Sequence, residues 1–106
     1  MRELSKTEEK YILHWGELGS QWGINRTVAQ IHALLMISDE PLHAEAISKT
    51  LGIARSNTSN SIKELQEWKL IKTVHKLGDR KEYFETLSDV WDLFWAVAER
   101  RVNKEL

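Results

Sequence analysis

Cysteine is absent from the 106 residues, which excludes a disulfide framework, a thiol nucleophile and a cysteine-based zinc site. A single proline and the lack of any low-complexity run leave no place for long linkers. No stretch approaches the roughly 18 apolar residues that a membrane-spanning helix requires, and the opening MRELSKTEEK lacks the apolar centre of a secretory leader. A cytoplasmic protein is expected. None of the four histidines, His14, His32, His43 and His75, has a metal-type partner one helical turn away, and HExxH, clustered carboxylates and phosphate-cradling glycine loops do not occur. Each imidazole therefore reads as a surface or core-edge side chain, and Ser88-Asp89 reads as a helix cap rather than a nucleophile. No enzyme activity, metal or cofactor is expected.

Net positive charge is also lacking, since 15 Lys and Arg against 16 Asp and Glu give −1. The distribution is uneven. Between positions 49 and 81 stand Lys49, Arg55, Lys63, Lys69, Lys72, Lys76, Arg80 and Lys81 against only Glu64, Glu67 and Asp79; eight minus three leaves +5 there and −6 elsewhere. An ordinary solvated face could carry such an excess. Its coincidence with the motif below favours a polyanionic partner, duplex DNA.

That motif runs from Pro41 to Leu87, PLHAEAISKTLGIARSNTSNSIKELQEWKLIKTVHKLGDRKEYFETL. Helical periodicity predicts a helix over His43 to Leu51, a turn at Gly52 and a second helix over Ala54 to Trp68, together a helix-turn-helix. After Trp68 the pattern becomes extended: Leu70 to Leu77 and Lys81 to Leu87 bracket Gly78-Asp79 as a two-stranded wing whose core-facing set the pattern leaves open. In the first helix Leu42, Ala46, Ile47 and Leu51 should face inwards and Glu45, Ser48 and Lys49 outwards. In the second, Ile53, Thr58, Ile62, Leu65 and Trp68 should be buried, presenting Arg55, Ser56, Asn57, Ser59, Asn60 and Lys63 to a DNA major groove. Short Ser and Asn side chains also serve as caps, the plainer explanation of their density. On the wing, Lys76, Arg80 and Lys81 are the candidate contacts to backbone or minor groove, with Asp79 orienting a neighbouring arginine.

Two helices precede this motif and one follows it. The first should span Leu4 or Ser5 to Leu18, burying Leu4, Tyr11, Trp15, Leu18 and Trp22, and end across Gly16 to Gly23. The second starts at the good N-cap Asn25, buries Ile24, Val28, Ile31 and Leu35, and stops before Pro41. The last should run from Ser88 to about Asn103, apolar almost all round, which implies a partner surface; a second copy of the chain is the simplest one. Tyr11, Trp15, Trp91, Phe94, Trp95, Ala98 and Val102 are the candidate dimer contacts. Trp15, Trp22, Trp91 and Trp95 could instead cage a quaternary ammonium of choline or betaine type, although tryptophans at helical spacing are more often core or interface.

The segments WGINRTVAQIHALL, SDEPLHAEAISKTLGIARSNTSNSIKELQEWKLI and HKLGDRKEYFE resemble the GbsR-type branch of the MarR-like winged-helix transcriptional regulators. The resemblance implies a homodimer that regulates transcription, often by repression, with Ala54 to Trp68 as recognition helix and Arg80 as the wing arginine. His43 and Ala54 depart from the Ser or Thr caps of relatives, which should weaken both helix starts by roughly 1 kcal/mol each.

The expected architecture is mainly α with a small β-hairpin (α+β): one winged helix-turn-helix domain, with an N-terminal helix over residues 1–24, a winged-helix core over 25–87 and a C-terminal dimerisation helix over 88–106. The competing reading is a winged helix used for protein–protein interaction without DNA binding.

Overall fold

The computed structural model describes residues 3–87. The elements are α1 (Lys6–Gln21), α2 (Arg26–Ile37), β1 (Leu42–His43), α3 (Ala44–Leu51), α4 (Arg55–Glu67), β2 (Ile71–His75) and β3 (Glu82–Thr86). The helix expected over 88–103, with its cap Ser88 and interface candidates Trp91, Phe94, Trp95, Ala98 and Val102, lies outside the described residues.

Helix α1 begins with a capping box: the Glu8 N–H donates to Ser5 Oγ at 3.1 Å and the Ser5 N–H to Glu8 Oε1 at 3.0 Å. Of the glycines expected to end this helix, Gly16 and Gly19 lie inside it, whereas Gly23 follows its end at Gln21 with a φ of 83°. A Cβ on Gly16 would come within 2.8 Å of Gln30 Cγ, and one on Gly19 within 2.7 Å of Ala29 Cβ, so both positions let α2 approach closely. That packing outweighs a propensity cost of about 1 kcal/mol per glycine. The buried line of α1 is Ile12, Gly16 and Gly19. Tyr11, Trp15 and Leu18 are only half-buried beside it, and Trp22 is 37% exposed, which corrects the expected stripe.

Helix α2 starts where Asn25 predicts, its Oδ1 accepting from the N–H groups of Thr27 (2.8 Å) and Val28 (3.4 Å). It forms the centre of the core, where Ile31, Ala33 and Leu34 are fully buried and Ile47 of α3, Leu65 of α4, Leu70, Ile71 and Phe84 close around it. His32 is fully buried too, not at the core edge. Its Nε2 lies 3.3 Å from Thr86 Oγ1, its Nδ1 has no hydrogen-bond partner, and burial pushes its pKa down to about 4.

The expected hairpin is one part of a three-stranded antiparallel sheet in the order β1-β3-β2. Leu42 and His43, expected at a helix start, pair with Phe84 and Tyr83. Two residues are too few to show a strand period, which is why this edge was not legible. In β3 the adjacent Tyr83 and Phe84 are both buried although they point to opposite faces: Phe84 enters the core, and Tyr83 packs on the outer side against His43 and Lys76.

The turn between α3 and α4 depends on Gly52, whose φ of 67° and ψ of 39° are left-handed. Ser48, expected outside, is buried and donates from Oγ to the Ile53 carbonyl at 2.6 Å, while the Ile53 N–H returns to the Ser48 carbonyl at 3.0 Å. This reciprocal pair fixes the angle at which α4 leaves the turn. His43 caps α3 after all, its Nδ1 accepting from the Ala46 N–H at 3.2 Å. Ala54 supplies no side-chain cap to α4, as its identity requires.

Candidate nucleic-acid interface

One face of α4 is committed to the core through Thr58, Ser61, Ile62 and Leu65. Periodicity therefore turns Arg55, Ser56, Asn57, Asn60 and Lys63 to the exposed side, with Ser59 half-buried at its margin. The inner small polar side chains are accommodated: Thr58 Oγ1 donates to the Ala54 carbonyl at 3.1 Å. Both ends of α4 are tethered. Asn57 Nδ2 reaches Thr27 Oγ1 of α2 at 3.5 Å, and Gln66 Nε2 donates to Thr73 Oγ1 of β2 at 3.2 Å, which ties the helix to the wing.

A groove of about 400 Å³ runs between α4 and β3, and Arg55, Ser59, Lys63 and Lys81 meet along it with Gln66 and Glu82. Ser56, Asn57 and Asn60 lie on the exposed surface of α4 outside this groove, and Arg80 is exposed at the wing tip. Lys76 is on the other side of the sheet, its Nζ 4.1 Å from the centre of the Tyr83 ring.

Ion pairs sort the basic residues. Lys49 bonds Glu45 at 2.9 Å within α3, and Lys72 meets its cross-strand partner Glu85 at 3.1 Å. The Lys49 hydrogen bond, and then its charge, hold the Glu45 carboxyl below the usual range. Arg55, Lys63, Arg80 and Lys81 are exposed along α4 and the wing, Lys81 with its Nζ 3.9 Å from Asp79. They form a cationic rim around a polar, amide-bearing helix face, an arrangement that can neutralise phosphates and present hydrogen-bond donors and acceptors between them.

Asp79 is engaged differently from expectation. Instead of orienting an arginine, its Oδ2 accepts from the Tyr83 hydroxyl at 2.6 Å and its Oδ1 from the Lys81 N–H at 2.9 Å, with Lys81 Nζ 3.9 Å away. The Tyr83 bond, followed by the Lys81 N–H bond, holds the Asp79 carboxyl low. The same contact raises the Tyr83 phenol above its ordinary value. Sequence reading missed Tyr83, Gln66 and His43. The available signal was local: a hydroxyl four residues beyond Asp79 across a tight turn, and an amide seven residues before a strand threonine.

Away from this face, Tyr11 and Trp15 stack at 6.2 Å between ring centroids with an 18° tilt, and both pack against the core. Among the described residues no group of three His, Cys, Asp or Glu could hold a metal, and no helix is long and apolar enough to cross a membrane.

Comparison with known proteins bears on this geometry. The MarR family is matched over residues 17–82, more than half of the chain. A putative HTH-type transcriptional regulator of Bacillus subtilis (strain 168), YvaV, is 20% identical over 91 residues, covering 86% of this chain and 51% of its own. The chain thus spans about half the length of that curated relative. Among solved structures, one described as a transcriptional regulator superposes with a TM-score of 0.75 at 18% identity, over 92% of this chain and 65% of that one. The S. aureus MepR–DNA complex superposes with a TM-score of 0.59 at 19% identity, over 93% of this chain and 78% of MepR. At these identities the structural likeness shows the winged-helix fold.

Proposed function

The chain belongs to the MarR family of winged-helix transcriptional regulators, and from that premise we propose that it binds double-stranded DNA sequence-specifically, with α4 in the major groove and the wing at the backbone or minor groove. The carrying observation is the geometry of α4: a helix tethered at both ends turns Arg55, Ser56, Asn57, Asn60 and Lys63 outwards, while Lys81 closes the adjoining groove. That the related MepR has been crystallised on DNA supports this use of the fold.

In this reading Asn57 and Asn60 read base edges, Arg55 and Lys63 reach guanine or phosphate, Ser56 and Ser59 bond phosphates, and Lys76, Arg80 and Lys81 serve the wing. Two copies related by a two-fold axis would place two recognition helices on a palindromic operator. The dimer would be built from α1, where Leu13 is 55% exposed and Tyr11 and Trp15 are half-buried on another side of the helix, and from residues 88–106. Repression by occupying a promoter is the simplest outcome. The GbsR-type assignment within the family rests on the WGINRTVAQIHALL and LGDRK segments. Of the four cage candidates, Trp15 is taken up by Tyr11 and the core, which lends no support to an effector cage.

Two substitutions test the docking geometry. Asn57→Ala should cost about 1–3 kcal/mol on the preferred sequence and relax base preference, whereas Arg80→Ala should weaken binding to most sequences and reduce the salt slope by about one. Unchanged affinity for both variants would show that α4 and the wing do not dock in this way.

A further inference from the structure

We infer that Tyr83 is the positioning residue of the wing, acting on DNA through Asp79 and Arg80 without touching DNA itself; this rests on the reading of the wing as a DNA-contacting element.

Tyr83 occupies the middle strand, with His43 of β1 and Val74 of β2 as its cross-strand neighbours, so its backbone is fixed on both sides. Its ring lies on the outer face of the sheet. The His43 ring meets it edge-on, with centroids 5.4 Å apart and planes at 78°, and the Lys76 ammonium stands 4.1 Å from its centre. The hydroxyl is thereby aimed from a rigid base, and it donates to Asp79 Oδ2 at 2.6 Å.

The other carboxylate oxygen, Oδ1, accepts from the Lys81 N–H at 2.9 Å, which closes an Asx turn over the one residue between them, Arg80. The Asp79 N–H is itself bonded to the Lys76 carbonyl at 3.0 Å. Arg80 is therefore held between two anchored neighbours while its side chain stays exposed. The phenol has a second effect. With both oxygens engaged on the sheet side, the carboxylate is kept off the guanidinium beside it, leaving Arg80 free for a phosphate or groove edge. Without the hydroxyl, Oδ2 would lose its partner, and a new ion pair with Arg80, beside the one that Lys81 Nζ already makes to Oδ1 at 3.9 Å, would compete with DNA.

Tyr83→Phe keeps the ring, its edge contact with His43 and its contact with Lys76, and removes only the hydroxyl. Amide hydrogen exchange on the free protein reads the latch directly. Protection of the Lys81 N–H should fall about tenfold in Tyr83→Phe, while the sheet amides of Thr73 and Phe84 keep theirs. Anisotropy with a labelled operator duplex then reads the consequence: affinity should fall about tenfold in the wild-type background and less than about twofold when Arg80→Ala is already present. A structural role through the sheet would weaken both backgrounds equally, and that result overturns the inference. Unchanged Lys81 exchange also overturns it. A wild-type protein that binds no duplex would refute the DNA reading itself, and the exchange experiment, done without DNA, still decides whether the latch exists.

Discussion

Acidification should destabilise this protein through one buried side chain well before its carboxylates titrate. His32 is fully buried, and its ring lacks a partner at Nδ1, so the imidazolium is disfavoured and the pKa falls from 6.5 to about 4. In the unfolded chain the imidazole regains its ordinary value and binds a proton first. Stability is therefore complete above about pH 7 and is lost as the pH falls from 6.5 towards 4, because the unfolded state binds more protons throughout that window. At about 1.4 kcal/mol per unit, the loss amounts to about 2 kcal/mol between pH 7 and 5 and about 3 kcal/mol by pH 4. Leucine is close to histidine in volume and does not titrate, so His32→Leu should remove this component. It should do so at little cost at pH 7, since it also removes the orphaned nitrogen and leaves Thr86 Oγ1 within 3.4 Å of the Leu70 carbonyl. Urea denaturation at pH 7.5, 6 and 5 on both proteins measures the difference. Parallel stability lines over that range would refute the reasoning and show that His32 is hydrated or charged in the folded protein.

Further outcomes follow from the packing. Gly19→Ala brings its methyl within 2.7 Å of Ala29 Cβ, a side chain that cannot swing away, and should cost about 1–3 kcal/mol by thermal denaturation. A stability unchanged by that substitution would mean that α1 and α2 are farther apart. Ser48→Ala strips the half-buried Ile53 carbonyl of its donor at the turn and should cost about 1 kcal/mol, with Thr50→Ala nearby as a milder control. Trp91→Ala combined with Trp95→Ala should yield a monomer with weakened DNA binding; an unchanged sedimentation profile would contradict dimerisation through residues 88–106.

Much of the helical frame was legible because its signals are local. Asn25 and Gly52 each act on backbone within a few residues, and the structure uses both; the Ser5–Glu8 capping box is an equally local signal that the sequence reading passed over. The exposed face of α4 was legible for a related reason, since Ile62 and Leu65 fix the phase of the helix and the polar face follows. What escaped depends on pairings that helix or strand periodicity does not encode. Ser48 and His32 are polar residues at core positions, tolerated through bonds to Ile53 and Thr86 that periodicity cannot foresee. Gly16 and Gly19 read as helix breakers because the closeness of α2 is invisible in one chain's pattern. The wing was ambiguous in phase because its sheet is covered on both sides, by the core on the Phe84 side and by Lys76 and His43 on the Tyr83 side. The role of Asp79 was misjudged for want of the register that brings Tyr83 to it.

The most direct measurement is fluorescence anisotropy of a labelled duplex from the region upstream of the protein's own gene, titrated at two salt concentrations. If α4 and the wing hold DNA through the cationic rim of Arg55, Lys63, Arg80 and Lys81, affinity should fall steeply with salt, by several powers of the concentration. Absence of binding at low salt with micromolar protein would contradict the DNA reading and leave the winged helix as a surface for another protein.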